Sequence, residues 1–201
     1  MTRPGVGPWP GGEEAWPEGE HYDRRLLAEG DRRNVADHYR YWSLEAIKAD
    51  LDRVRRPLHV AIENLDHDFN IGSIVRTANA FAVAEVHIVG RRRWNRRGAM
   101  VTDRYQHVRH HEDADAFGAW IASRGLTLVG IDNIDGSVPL EGADLARDAA
   151  LVFGSEARGL SDAMVAQCAV VHHITQYGST RSINVGAAAG IAMWAWSIQH
   201  T

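Results

Sequence analysis

Short apolar segments alternate with helix-like segments from residue 58 onward, and this alternation limits the fold more than any other feature of the chain. The strand-like segments are 58–63, 85–90, 126–132, 150–154 and 169–174. Apolar residues follow helical spacing at 71–82, near 113–123, from Ser161 and near the carboxyl end, whereas 133–148 reads as loop. Such alternation predicts an α/β fold with a mainly parallel sheet and helices on both faces.

The first 57 residues differ in character from the rest of the chain. Residues 1–20 are rich in proline and glycine and lack an apolar core, which predicts a flexible leader and no signal peptide. Residues 22–54 read as two helices, the second with Ser43 as its N-cap. We therefore expect a leader at 1–20, a helical N-terminal extension at 21–57 and one domain at 58–201.

Charge is unevenly distributed along the chain. The formal net charge of the 201 residues is −4, so no overall positive field attracts a polyanion. Lys48 is the single lysine among 22 cationic residues, and the others are arginine. Five of them surround Trp94, namely Arg91, Arg92, Arg93, Arg96 and Arg97. Arginines grouped around an aromatic residue are typical of a nucleic-acid-binding face, with a solvated basic loop as the alternative.

Several kinds of site are excluded or disfavoured. Cys168 is the single cysteine, which excludes internal disulfides and favours a reducing, cytoplasmic compartment. His107, His110, His111 and Glu112 do not match a zinc spacing, so we interpret them as a solvated polar turn and expect no metal. The uncharged segment 182–201 has too few apolar residues for a membrane span of about 20, and no membrane association is expected.

The start of the helix at 71–82 is the first of three segments that carry chemistry. Asn70 stands at an N-cap position, and the free amides of a first helical turn bind anions. Arg76, one turn further, adds a fork of hydrogen-bond donors beside that helix start. An ordinary Asn cap is the alternative interpretation of Asn70.

The other two segments each follow a predicted strand. After 150–154 the chain reads Gly154-Ser155-Glu156-Ala157-Arg158-Gly159, a glycine-bearing loop that lets backbone approach a ligand closely, and Ser161 caps the next helix. After 169–174 it runs through Gln176 and Gly178 to Ser182, Ile183 and Asn184 before the last helix. Capping of that helix by Ser182 or Asn184 is the alternative here. P-loop, dinucleotide and serine-hydrolase motifs are absent from the sequence.

Taken together and in this order, the three segments resemble the SpoU (TrmH-like) family of SPOUT RNA methyltransferases over about residues 58–199. The resemblance implies a C-terminal trefoil knot, a homodimer, and transfer of a methyl group from S-adenosylmethionine (AdoMet) to a ribose 2′-hydroxyl of tRNA or rRNA. S-adenosylhomocysteine would be the product, with no metal required. The chain departs from the family pattern at Gln176, Ile183 and Gly186, where methionine, leucine and serine are usual. These changes affect the wall of the cofactor pocket.

The resemblance also implies roles for individual residues. The AdoMet site would be lined by Ile131, Gly154, Ile174, Ser182 and Ile183. The catalytic set would be Arg76, Asn70, Glu156, Ser182 and Asn184. Arg76 is the residue proposed in the family to deprotonate the hydroxyl, but a guanidinium keeps its proton in proteins, so we expect Arg76 to hold phosphate and the developing alkoxide. Arg91, Arg92, Arg93, Arg96 and Arg97 would contact RNA phosphates.

Two other functions remain open from the sequence. The chain could be an RNA-binding protein that kept the fold and lost transfer, although the presence of Arg76, Glu156, Ser182 and Asn184 argues against this. It could instead methylate a base nitrogen, as other SPOUT branches do, although the Arg76 segment favours ribose. An apolar C-terminal helix with Met193, Trp194 and Trp196 is expected to contribute to the homodimer interface.

Overall fold

The computed structural model describes residues 5–64 and 70–201, so residues 1–4 of the predicted leader and residues 65–69 lie outside the described part. The chain forms two compact units, Met1–Val54 and Arg55–Thr201. Within the described ranges, none of the helices combines the length and the apolar character that a membrane crossing requires.

The first unit contains two short helices, α1 (Arg24–Glu29) and α2 (Leu44–Val54). Asp23 caps α1 by accepting hydrogen bonds from two first-turn amides, and Ser43 caps α2 through the amide of Ala46. Part of the predicted leader packs within this unit. The Trp9 ring meets the Tyr41 ring edge-on at 5.3 Å, and the Tyr41 hydroxyl donates to the carbonyl of Gly7 at 2.6 Å.

The second unit is built on one seven-stranded sheet. Its strands are β1 (Arg56–Asn64), β2 (Val83–Gly90), β3 (Val108–His111), β4 (Thr127–Ile131), β5 (Val138–Pro139), β6 (Ala149–Phe153) and β7 (Val170–His173). Their order is β3-β2-β1-β6-β4-β7-β5, and every neighbouring pair is parallel. The predicted parallel sheet is confirmed. Central strands β1 and β6 are buried because both faces of the sheet are covered.

Four helices cover the two faces of this sheet. They are α3 (Ile71–Ala80), α4 (Ala114–Arg124), α5 (Asp162–Gln167) and α6 (Val185–Gln199). On one face, apolar residues of α3 and α6 pack on Leu58, Val60 and Ile62 of β1. On the other, Phe117 of α4 and Met164 of α5 pack on the alternate side chains of the same sheet. The prediction of helices on both faces is therefore also confirmed.

The structure corrects several predicted boundaries. β1 begins at Arg56, two residues before the predicted start, and α3 ends at Ala80 because Ala82 adopts a left-handed φ of 51° that a helix cannot continue. Two edge strands were not predicted. β5 is only two residues long, and β3 reads Val-Arg-His-His, which has no apolar alternation. The predicted polar turn at His110 and His111 is therefore wrong, since both residues lie in β3.

The last helix, α6, buries only part of its apolar surface. Met193 and Trp196 are fully buried against the sheet. Met193 is therefore not a surface residue, contrary to the expectation that it contributes to an interface. Ile191, Trp194 and Ile198 remain exposed, at 42%, 57% and 52% of their accessible surface, and their spacing places them along one side of the helix.

Candidate active site

Three segments distant in sequence meet at the carboxyl edge of the parallel sheet, where α/β folds commonly bind ligands. They follow the strands β1, β6 and β7, and each contributes one residue to a closed polar network. The Asn70 side-chain amide donates to Glu156 Oε2 at 2.9 Å. The Asn184 amide donates to Asn70 Oδ1 at 2.9 Å and to Glu156 Oε1 at 3.1 Å. Three of the predicted catalytic residues are thus in mutual contact.

The orientation of the Asn184 amide follows from its second role, as the N-cap of α6. Its Oδ1 accepts hydrogen bonds from the backbone amides of Gly186 and Ala187, which caps α6. Because the oxygen faces those amides, the nitrogen must face Asn70 and Glu156. Asn70 behaves differently from the simple cap that the sequence suggested. Its side chain makes no capping hydrogen bond to α3 and is directed into the polar network instead.

An open cleft adjoins this network. Its walls include all five residues that the resemblance assigned to the cofactor: Ile131, Gly154, Ile174, Ser182 and Ile183. Ile183 and Val185, on either side of Asn184, both line it. The cleft and the network therefore form one site.

The loop after β6 approaches its own backbone closely. A Cβ atom on Gly154 would overlap the backbone of Gly159, so a glycine is required there. Ser155 and Gly159 exchange two backbone hydrogen bonds, of 3.1 and 2.8 Å, across the base of this loop. The closed loop places Glu156 within reach of Asn70 and Asn184.

Two acidic residues that the sequence analysis missed hold this loop in place. Glu63, buried near the end of β1, accepts hydrogen bonds from the Ser161 amide at 2.8 Å and hydroxyl at 2.7 Å. Asp132, directly after β4, accepts from the Leu160 amide at 2.7 Å and also lines the cleft. Both residues lie at the ends of strands that neighbour β6, and this position is the signal that could have identified them. Using it requires the strand order, which the sequence pattern does not give.

Gln176, which stands where the family usually has methionine, places an unpaired acceptor at the cleft. Its Oε1 atom is buried and has no hydrogen-bond partner within the part of the chain that the structure describes. The residue itself lines the cleft. A buried acceptor without a donor is unfavourable, and a ligand that brings a donor removes that cost. The cleft therefore suits a ligand that is largely apolar in contact but carries hydrogen-bond donors.

Arg76 and the arginine cluster lie on the solvent side of the site. The Arg76 side chain is exposed on α3, one turn after Ser73, whose hydroxyl lies close to Gly186 at the start of α6. The five clustered arginines are all exposed after β2. Their loop contacts α3 closely, since a Cβ on Gly72 would lie 2.7 Å from the amide nitrogen of Ala99. The arginine loop, residues 91–99, is thus packed against α3, the helix that carries Arg76.

Three histidines form a row across β1, β2 and β3, on the face of the sheet that α4 covers. His59 Nδ1 lies 3.0 Å from His87 Nε2, and His87 Nδ1 lies 3.0 Å from His111 Nε2. Burial lowers the pKa of His59 to about 4, of His87 to about 2 and of His111 to about 4, with further lowering from neighbouring positive charges. All three rings are therefore neutral at pH 7.

His59 and His87, together with Glu85, bring ligand atoms within 4.8 Å of one another, as a metal site would. The facing nitrogens of the two rings already hydrogen-bond each other, and Glu85 pairs with Arg109 at 3.0 Å. The guanidinium also repels a cation at this position. We therefore interpret the row as a hydrogen-bonded part of the protein interior.

Comparisons with known proteins identify the family of the chain. The SpoU rRNA Methylase family matches residues 57–194. An uncharacterized tRNA/rRNA methyltransferase of Mycolicibacterium vanbaalenii is 32% identical over 180 residues, which cover 84% of this chain and 56% of the relative. The chain spans about half the length of the curated relatives it matches.

Solved structures share the fold. The SpoU methyltransferase AviRb from Streptomyces viridochromogenes, in complex with the cofactor AdoMet, superposes with a TM-score of 0.64 at 23% identity, covering 75% of this chain and 60% of that one. A structure described by its role in 2-OH methylation of C/U34 on tRNA superposes with a TM-score of 0.62 at 25% identity, covering 71% and 95%. Each comparison covers the second unit in large part.

Proposed function

Because this chain belongs to the SpoU rRNA methylase family, we propose that it transfers a methyl group from AdoMet to a ribose 2′-hydroxyl of tRNA or rRNA. The observation that carries the proposal is the contact of Asn70, Glu156 and Asn184 beside the cleft. The name of the M. vanbaalenii relative and the 2-OH methylation of C/U34 on tRNA ascribed to one structural neighbour support the RNA substrate.

The cleft residues fit AdoMet by their chemistry. AdoMet supplies a methyl group bound to a positively charged sulfur, which makes that group reactive toward oxygen. The apolar walls at Ile131, Ile174 and Ile183 suit a flat adenine ring, and the Gln176 acceptor suits its amine or the ribose hydroxyls. Gly154 and Gly159 both line the cleft.

Within the polar network, Glu156 and Asn184 act as positioning residues. Glu156 accepts hydrogen bonds from both asparagine amides, which is the bonding pattern of an ionised carboxylate. The network ties the start of α3 to the start of α6 and to the loop after β6. It thereby holds Gly154 and Ser182 at fixed places along the cleft. We assign Ser182 to the same site, since this exposed residue lines the cleft.

Arg76 is proposed to clamp the RNA. Its exposed guanidinium has the planar fork that binds phosphate through two hydrogen bonds. A guanidinium keeps its proton in proteins, so the group stabilises the alkoxide that develops as the 2′-hydroxyl loses its proton to water. Arg91, Arg92, Arg93, Arg96 and Arg97 would extend this contact along the RNA backbone, and their exposure supports that role.

We further propose that the chain acts as a homodimer through α6. The exposed residues Ile191, Trp194 and Ile198 form an apolar stripe on a helix whose first residues belong to the site. Contiguous apolar surface of this kind is typical of an interface. The trefoil knot and a reducing, cytoplasmic compartment stay predictions, the former from the family resemblance and the latter from the single cysteine.

The experiment that tests this function combines the purified chain, AdoMet and bulk tRNA or ribosomal RNA. The RNA is then digested to nucleosides and analysed by mass spectrometry. A new 2′-O-methylnucleoside is the expected product. A methylated base would favour the base-nitrogen alternative, and RNA that binds without becoming methylated would favour an RNA-binding protein.

A further inference from the structure

A second cavity lies at the edge of the sheet, between β3 and the arginine loop. It is separate from the candidate active-site cleft and shares no lining residue with it. Its lining residues are Ile88, Arg92, Trp94, Arg96, Asp103, Val108, Arg109 and His110. Trp94 is half-buried against the core, so its ring is a fixed part of the wall.

The cavity combines an apolar floor with a cationic rim. Ile88, Trp94 and the 38% exposed Val108 supply the apolar part. Three arginines line it; Arg96 lies 3.6 Å from Asp103, and Arg109 pairs with Glu85 at 3.0 Å. The Arg96 guanidinium also lies over the Trp94 ring, 5.6 Å from its centroid. An occupant with complementary chemistry has a flat, apolar face and a negative charge beside it.

We propose that this cavity binds one unpaired nucleotide of the RNA substrate, with its base against Trp94 and its phosphate held by Arg92, Arg96 or Arg109. The inference rests on the proposed function and specifies the substrate as RNA that is single-stranded next to the methylated position. Proteins recognise unpaired bases by stacking them on aromatic rings and arginine planes, whereas bases inside an RNA helix are not accessible in this way.

The position of the cavity relative to the active site gives this contact a purpose. The loop that carries Trp94 and Arg96 continues into Gly98 and Ala99, which pack on Gly72. Gly72 is two residues from Asn70 in the polar network. A nucleotide bound at Trp94 is thus linked to the site by one tight backbone contact, and it would set which ribose reaches Arg76.

The test compares two fluorescein-labelled probes: an adenylate RNA hexamer and a hexamer with the same ribose–phosphate backbone and no bases. Fluorescence anisotropy measures the affinity of the full chain for both. Removing the bases should weaken binding to the unaltered protein about tenfold, because stacking on one aromatic residue is worth roughly that much. The ratio of the two dissociation constants, base-free hexamer over adenylate hexamer, should fall to about one in Trp94→Ala. Trp94→Phe keeps an aromatic face and should retain most of the difference between the two probes.

Two further variants distinguish an effect of the cavity on binding from an effect of the general charge of the surface. Val108→Phe fills the cavity without removing a cation and should reduce the ratio as Trp94→Ala does. Arg147→Gln, an exposed arginine in the loop before β6, should leave it unchanged. The proposal is overturned if the ratio is the same in Trp94→Ala as in the unaltered protein, or if the unaltered protein binds both hexamers equally. If either result is found and the unaltered protein still methylates bulk RNA, only the nucleotide pocket is refuted. Absence of methyl transfer by the unaltered protein refutes the proposed function.

Discussion

The Asn184 side-chain amide donates a hydrogen bond to Oδ1 of Asn70 at 2.9 Å, across 114 residues of sequence. The same asparagine caps α6 with its oxygen, so one side chain joins a helix start to the polar network. A substitution that keeps the capping oxygen of Asn184 and removes its amide nitrogen therefore tests the network without removing the cap of α6.

Asn184→Asp is the variant that makes this separation. Aspartate caps a helix as well as asparagine, so the capping contribution to the free energy of unfolding should be retained. The new carboxylate cannot donate to Asn70 and faces Glu156, so methyl transfer should fall about 10- to 100-fold. Chemical denaturation and a transfer assay measure the two effects. Equal transfer by both proteins would show that the Asn184 amide has no part in the site.

Gly154→Ala should close the cleft. Its new Cβ would overlap the backbone of Gly159, so the loop after β6 must move. Calorimetry should then detect no binding of S-adenosylhomocysteine, which the unaltered protein is expected to bind without RNA. Gly178→Ala is the matched control, because that glycine also lies in a family motif but has no atom within 4 Å of the added Cβ. Similar affinity in both variants would contradict the assignment of the cleft.

Substitution of Arg76 distinguishes a clamp from a base. Arg76→Ala should abolish transfer and leave S-adenosylhomocysteine binding nearly unchanged, since Arg76 does not line the cleft. Arg76→Lys should be almost as inactive, because an ammonium group lacks the bidentate fork. Substantial activity of Arg76→Lys that rises with pH toward about 10.4, the usual lysine pKa, would instead support proton removal by this residue.

Trp194→Glu should convert a dimer into monomers. The charge would be placed in the middle of the exposed stripe of α6, where burial against a second copy would require its desolvation. Sedimentation at micromolar concentration should give a dimer for the unaltered protein and a monomer for the variant, with reduced transfer. Arg147→Glu, outside α6, is the control for an added negative charge. A monomeric unaltered protein would refute the dimer.

The histidine row predicts loss of stability in acid. Burial depresses the pKa of His59, His87 and His111 in the folded protein, whereas unfolded histidines titrate near 6.5. Between about pH 6.5 and 4 the unfolded chain binds more protons, so the free energy of unfolding should fall by up to about 1.4 kcal/mol per pH unit for each histidine. The facing charged and titratable groups are Arg109, Arg124, His110 and Asp148.

Denaturant unfolding at a series of pH values measures this slope. His87→Leu removes the central ring and should make the dependence shallower. Carboxylates contribute their own dependence mainly below about pH 5, so the window from pH 6.5 to 5 isolates the histidines. A free energy of unfolding that stays constant across that window would contradict the buried, neutral row.

The sequence predicted those parts of the molecule that depend on local pattern. Apolar runs identified the five main strands, and the parallel topology placed Gly154, Ile174 and Ile183 at one edge of the sheet. β3 was missed because its four residues, on an edge strand, need no apolar alternation. Asn70 could be assigned to the site only through the family resemblance, because its partner Glu156 is 86 residues away.

Contacts that depend on strand order and register could not be predicted in this way. Glu63 reaches Ser161 only because β1 lies beside β6, with which it is not consecutive. The histidines meet because the registers of β1, β2 and β3 align three rings that are 24 or more residues apart. These contacts join polar groups from different strands, and a local pattern carries no information about them.

The central claim is that the chain methylates ribose and not a base, and alkaline hydrolysis tests it most directly. RNA is labelled by the purified chain with AdoMet that carries a radioactive methyl group, and then hydrolysed in alkali. Alkali cleaves RNA through attack by a free 2′-hydroxyl, so a 2′-O-methyl group protects the adjacent phosphodiester bond. The account predicts that the label appears in alkali-resistant dinucleotides. Label recovered only in mononucleotides would contradict it.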